Sequence, residues 1–132
     1  MSLTRIIPHR AEGYIEVAFD GYEDWLSATQ TIEQIAAAID SLDIHRILLN
    51  FERVQMRVAV AEAPEIANFF HTFANQALDF GIIACGDERG DATIAAFAVA
   101  MRALGHGVEH LDDPAAIEDW LSPGSTRGRR AG

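Results

Sequence analysis

One cysteine, five histidines and 20 acidic residues are the groups from which this chain of 132 residues could build a reactive centre. Cys85 closes the apolar run at 80–85 (FGIIAC). As a nucleophile it needs a histidine to take its proton, whereas a small core side chain needs no partner, and its position at the end of a buried strand favours the core role. His106 and His110 have the four-residue spacing of metal ligands on one helical face, but Gly105 and Gly107 argue against a shared helical turn. His9, His45 and His71 fall in separate segments, and His71 adjoins a phenylalanine stripe, so no metal set is expected. A nucleophile elbow, a dinucleotide-binding glycine fingerprint, a P-loop and a two-cysteine metal motif are all missing. Every basic residue is arginine, which removes Schiff-base chemistry and the P-loop lysine. The expectation is a protein with no catalytic residue, no metal and no cofactor.

The charged residues suggest binding. Glu52, Arg53 and Arg57 follow an apolar run at 46–51 (RILLNF), and Asp87 and Arg89 lie in the GDERGD segment at 86–91, between a strand and a helix. Open α/β sheets hold their ligands at such strand ends. Helix-start amides there suit an anion, yet three carboxylates in six residues oppose one, and a plain Gly/Asp turn explains the segment as well. Arginine is enriched at protein interfaces, so Glu52, Arg53, Arg57, Asp87 and Arg89 are the candidate partner-binding rim, with solvated loop charges as the alternative. Phe69, Phe73 and Cys85 are the candidate lining of an apolar pocket, although helical spacing equally makes the two phenylalanines core residues.

Elements that would position these groups follow from periodicity. Residues 14–19 place Ile15, Val17 and Phe19 on one face, and residues 4–7 precede them across a turn ending in Gly13, which reads as an antiparallel pair. Residues 31–42 carry Ile32, Ile35, Ala36, Ile39 and Leu42 at helical spacing, with Thr31 and Gln34 as a capping box. Strand 46–51 comes next, and then a helix near Pro64 whose stripe is Ile66, Phe69, Phe70 and Phe73. Strand 80–85 leads to an Ala-rich helix capped by Asp91 and stopped by Gly105. Strand 108–111 leads to Asp113-Pro114, a cap with proline in the first turn, and to Ile117, Trp120 and Leu121. Strands alternating with helices after a hairpin predict an α/β fold. Its mixed sheet has four to five strands, an antiparallel N-terminal hairpin then parallel strands, flanked by four helices.

Composition bounds the setting. The length suits one domain, read as 1–123, with a disordered Gly/Ser/Arg tail at 124–132. The net charge is −10, and without that tail seven basic and 20 acidic residues leave −13. Such a surface repels a phosphate backbone, so nucleic acid is excluded as a partner. The longest apolar run, 94–101, is far too short to span a bilayer, and residues 1–13 lack the apolar core of a signal peptide. No membrane insertion and a cytoplasmic location are expected, and base rates of assembly favour a homodimer.

The order β-β-α-β-α-β-α-β-α, together with RILLNF, DFGIIACGD, ATIAAFAVAMRALGHGVEHLDD and PAAIEDWL, resembles the SpoIIAA-like, STAS/SEC14-type family over residues 4–121. That resemblance implies a non-catalytic regulatory or interaction module that binds a protein partner or a small ligand. A carrier of a small apolar molecule or a small enzyme is the alternative. Anti-sigma-antagonist members carry a phosphorylated serine after the central strand. The matching stretch here is Met56-Arg57-Val58-Ala59, and no Ser or Thr occurs from Asp43 to His71, so the resemblance implies a member without the phospho-switch.

Overall fold

Residues 3–122 are described by the structure, a computed structural model; the segment 124–132, read above as a tail, lies outside them. Strand β1 (Arg5–His9) turns back through Gly13, where φ is 78° and a Cβ would strain the backbone, and pairs antiparallel with β2 (Tyr14–Glu23). Helix α1 (Trp25–Leu42) returns the chain to β3 (Arg46–Met56), parallel to β2. Helix α2 (Ala63–His71) leads to β4 (Asp79–Ile83), parallel to β3, and α3 (Glu88–Ala103) to β5 (Gly107–His110), parallel to β4. Helix α4 (Pro114–Leu121) follows. The sheet order is β1-β2-β3-β4-β5, so the mixed sheet with four helices expected from periodicity is what forms.

Both sheet faces are buried, for different reasons. Val17, Phe19, Ile47, Leu49, Phe51, Phe80 and Ile82 face α1, α2 and α3, meeting Ile32, Ile35, Ile66, Phe70, Ile94 and Met101 in one cluster. The opposite face presents Tyr14, Leu48 and Leu111 to α4, whose Trp120 completes a smaller cluster. Trp120 stands edge-on to Tyr14, with ring centroids 5.7 Å apart, and the Arg46 guanidinium covers it at 4.3 Å. The helix sits so close that a Cβ on Gly81 would lie 2.8 Å from the indole and 3.0 Å from Leu111.

Several boundaries differ from the periodic reading: β2 runs on to Glu23, and β4 stops at Ile83 and leaves Cys85 outside it. Three further differences have a cap or a bulge as their cause. Helix α1 starts at Trp25, not near Thr31, because Asp24 and Ser27 cap it reciprocally: each backbone N–H donates to the other's side-chain oxygen at 2.9 Å. Its first turn exposes Trp25 and Leu26, so the apolar stripe begins only later. Strand β3 runs to Met56 because the register with β2 shifts between Ala18 and Asp20: Ala18 faces Asn50, but Asp20 faces Arg53. This bulge puts Glu52 and Arg53 outward in succession and returns Val54 to the core, which breaks the alternation a strand reading relies on. Helix α3 is capped by Asp87, whose carboxylate accepts from Gly90 N–H at 2.9 Å; Asp91 lies inside its first turn.

Phe70 is buried edge-on against Phe80 at 5.4 Å, and Phe70→Ala is expected to lower stability by about 3–5 kcal/mol in urea denaturation. Gly81→Ala adds one methyl group where α4 leaves no room and is expected to cost about 1–3 kcal/mol by the same measurement. A neutral Gly81 variant would mean that α4 does not pack on this face.

Candidate functional site

Strands β2 to β5 run the same way, so their ends at Glu23, Met56, Ile83 and His110 and the starts of the four helices lie along one edge of the sheet. Two connections are bound together there. Thr93 of α3 donates from its hydroxyl to the Val58 carbonyl at 2.9 Å, and Gly90 approaches so closely that a Cβ would lie 2.7 Å from Cys85 Sγ and 3.1 Å from Met56 Cβ. Gly90 is therefore a contact glycine inside the helix, not a turn residue.

The five charged candidates separate on this edge. Glu52 and Arg53 project from β3 itself, beyond the bulge. The Asn50 side chain accepts from Glu52 N–H at 3.0 Å, and Arg53 pairs with Asp20 at 3.7 Å in an exposed ion pair. Arg57 directly follows the strand; its N–H donates to the Glu23 carbonyl at 2.7 Å and its guanidinium lies 4.2 Å from the centre of the Tyr22 ring. Asp87 is occupied as the α3 cap, and Arg89 is exposed in that helix's first turn. Topology thus brings Arg53 and Arg57 together with the end of β2, and places Asp87 and Arg89 farther along the same edge.

Sequence reasoning missed two features of this edge. Glu23, only 2% exposed, ends β2 and accepts from the Thr4 hydroxyl at 3.1 Å. Exposed apolar side chains also gather here: of the six large ones among the described residues, Leu3, Trp25, Leu26 and Val60 adjoin the ends of β2 and β3. Single exposed apolar residues carry no periodic signal, and only the parallel pairing of β2 with β3 assembles them.

Beneath the edge lies an apolar cavity of about 70 Å³, walled by Phe19, Phe51, Ile32, Phe70, Ile94 and Phe97, with Glu23, Thr31 and Thr93 as its polar side chains. At the opposite edge a wider crevice of about 540 Å³ separates the second half of α1 from residues 73–78. Phe73 lies past the end of α2 and is 42% exposed, so it lines the outer crevice; Phe69 and Cys85 line neither space. Phe69 instead meets Phe73 edge-on at 5.2 Å and packs, like Cys85, against the main core.

Cys85 follows β4 and donates its thiol hydrogen to Asp91 at 3.1 Å. The same carboxylate accepts from the backbone N–H of Cys85 at 3.0 Å and of Gly86 at 3.2 Å, so Asp91 ties down the turn. Burial, then the Asp91 hydrogen bond and the nearby carboxylates, push the thiol pKa up from its ordinary value and oppose thiolate formation, although a backbone hydrogen bond at Asp87 acts the other way.

The histidines are arranged as the sequence did not suggest. His106 is buried and meets His71, not His110: His106 Nε2 lies 3.0 Å from His71 Nδ1, and Leu78 N–H donates to His106 Nδ1 at 3.0 Å. Burial and the proximity of His71 push the His106 pKa down. Among the described residues no group of three or more His, Cys, Asp or Glu side chains converges as a metal site, and no helix is long and apolar enough to cross a membrane.

A five-stranded mixed sheet with α1, α2 and α3 on one face and α4 on the other has the SpoIIAA-like fold. An uncharacterised protein of the DUF3478 family with a SpoIIAA-like fold, from Shewanella loihica PV-4, aligns with a TM-score of 0.58 at 15% identity, over 91% of this chain and 93% of that one. The Bacillus cell fate determinant SpoIIAA in its phosphorylated form aligns with a TM-score of 0.52 at 13% identity, over 87% and 96%. At such identities the likeness establishes the fold alone. Comparison of the sequence with protein-family models and with curated proteins gives no match.

Because burial, with Asp91 beside it, raises the thiol pKa, Cys85 is expected to react with iodoacetamide at neutral pH more slowly than free cysteine. A rate equal to or above that of the free amino acid, followed by mass spectrometry, would show an activated thiol and reverse this reading.

Proposed function

We propose that this chain is a non-catalytic, cytoplasmic interaction module of the STAS kind that recognises a protein partner without a serine phospho-switch. The observation that carries the reading is the carboxyl edge of β2 and β3, where the connecting segments expose Leu3, Trp25, Leu26 and Val60 and the end of β3 carries Arg53 and Arg57. Aromatic residues and arginine are the types enriched in protein-binding surfaces. Tyr22 under Arg57 favours one placement of that guanidinium before a partner arrives, which lowers the entropy cost of docking, and Asp20 stands 3.7 Å from Arg53. The Bacillus protein of similar fold was captured in a phosphorylated form; here the stretch from Asp43 to His71 has no hydroxyl side chain to accept a phosphate. A non-catalytic role is supported by the one cysteine being bonded to a carboxylate and not to a histidine.

A carrier of a small apolar molecule is the second reading, favoured by the cavity of about 70 Å³ beneath the same edge. Native mass spectrometry of the protein purified from its own cytosol separates the two, since a retained protein supports the module and a retained small molecule supports the carrier.

Replacing Arg53 and Arg57 together by Ala is expected to leave Tm within a few degrees, because exposed charges contribute little to folding. Partner capture from the same cytosol should weaken. Val99, exposed on α3, provides the control: Val99→Asp is expected to leave capture intact. Loss of capture in the Val99 variant with retention in the double arginine variant would move the working surface to α3.

A further inference from the structure

Three of the five histidines bear on one stretch of chain, residues 72–78 between α2 and β4. His45, just ahead of β3, bonds the Gln76 side chain through its ring, and its carbonyl accepts from Asp79 N–H at 2.9 Å. His106, just ahead of β5, accepts from Leu78 N–H, and His71 at the end of α2 closes the set.

The order of bonding assigns the protons. Leu78 N–H can only donate, so His106 Nδ1 is unprotonated and its Nε2 carries the hydrogen. That Nε2–H donates to His71 Nδ1, which places the His71 proton on Nε2. Every nitrogen facing another group is now committed. An added proton must go either to His106 Nδ1, where it opposes the Leu78 N–H, or between the two rings, where it breaks their mutual bond. The pair therefore takes up no proton without losing a hydrogen bond.

We propose that the His71–His106 pair is a proton-operated latch on residues 72–78. Mild acid favours the opened connection, in which both rings are free to take up protons, and so releases the Leu78 amide and loosens the wall that Phe73, Asn75, Gln76 and Leu78 form along the outer crevice. Among the described residues no charged side chain is bonded to either ring. From α2 the facing titratable group is His71 itself. From β4, Asp79 lies against Gly107, its carboxyl pKa raised by burial, and Phe80 presents only a ring, 6.1 Å away. From α3, Arg102 donates to the Val108 carbonyl at 3.0 Å. On the far side of the connection, His45 and Asp43 stand 3.6 Å apart, and Arg46 begins β3.

Because the folded pKa of His106 lies below the unfolded value, the latch contributes fully above roughly pH 6.5, where both forms are neutral. As pH falls below that, the opened chain takes up the proton first, and the contribution is lost progressively down to the folded pKa.

Amide hydrogen exchange followed by NMR, corrected for the intrinsic rate, reads the latch at Leu78. Protection there is expected to fall severalfold between roughly pH 7.5 and pH 5, because over that range the opened chain takes up a proton that the closed pair refuses. Protection of the β3 core amides, such as Leu49, should stay high. In His106→Asn the amide oxygen stands where Nδ1 stood and cannot titrate, so Leu78 protection should persist and stay nearly constant over the same range. Flat protection in the wild type, or an equal fall in the Asn variant, overturns the proposal. Should that variant fail to fold, wild-type imidazole nitrogen spectra decide. His106 Nδ1 must be unprotonated near pH 7.5 and gain its proton only at the acid end of the range over which Leu78 protection falls, and a protonated Nδ1 near pH 7.5 overturns the latch.

Discussion

Eight residue pairs join β2 to β3 in parallel, from Ile15 with Ile47 to Glu23 with Met56, and the pairing survives a register shift midway because the rings of Phe19 and Phe51 stack across it, 4.4 Å apart and within 11° of parallel. The remaining architecture depends on this joint. Upstream of the shift, both strands feed the main core. Downstream, Val54 returns to that core while Glu52 and Arg53 stay outside, so one extra residue turns a buried strand into a half-exposed one. The length gained past the joint carries Glu23 and Met56 to the edge where α1 starts and where Arg57 is held by a backbone bond to Glu23.

Layering makes that edge a stable platform. The sheet is closed on one side by three helices and on the other by α4, whose indole lies under Arg46 and against Gly81. Two-sided burial is the usual condition of parallel strands; here the three crossover helices cover one face and the C-terminal α4 covers the other. At the carboxyl edge the connections are short and tied by side chains: Asp24 and Ser27 at α1, Thr93 to Val58, and Asp91 to Cys85 and Gly86. The amino edge differs. Residues 72–78 there lie outside the helices and strands; backbone bonds tie Thr72, Phe73 and Ala74 to the end of α2 and the Leu78 carbonyl to Gly107, and histidine rings hold the Gln76 side chain and the Leu78 N–H. The molecule thus has one edge tied by carboxylate and hydroxyl bonds and another where titratable rings add to backbone bonds.

The candidate site was legible in part. Arg53 and Arg57 stood out as charges following an apolar run, and the structure places both at the strand end beside Tyr22 and Asp20. Phe73 was grouped with Phe69 because it continues the i, i+3, i+4, i+7 pattern, but the helix stops at His71 and leaves Phe73 exposed. Periodicity states which face a residue would take in a helix, not whether the helix reaches it. Trp25, Leu26 and Glu23 could not be read as a site, since a lone apolar pair and a lone acid have no pattern until β2 and β3 are set side by side.

Order and type of the elements were determined by the sequence itself, because each strand or helix buries a face whose period of two or 3.6 residues is local: RILLNF, FGIIAC and the stripes on α1, α2 and α3 need no knowledge of their neighbours. The Asp113-Pro114 start of α4 was equally local, a cap and a first-turn proline that act within four residues. Tertiary structure alone decided the bulge at Phe51 and Glu52, the close approach of Gly90 and Gly81, and the meeting of His71 with His106 across 35 positions of chain. Each of these is a contact between segments far apart in sequence. Its energy comes from a partner that no local window contains.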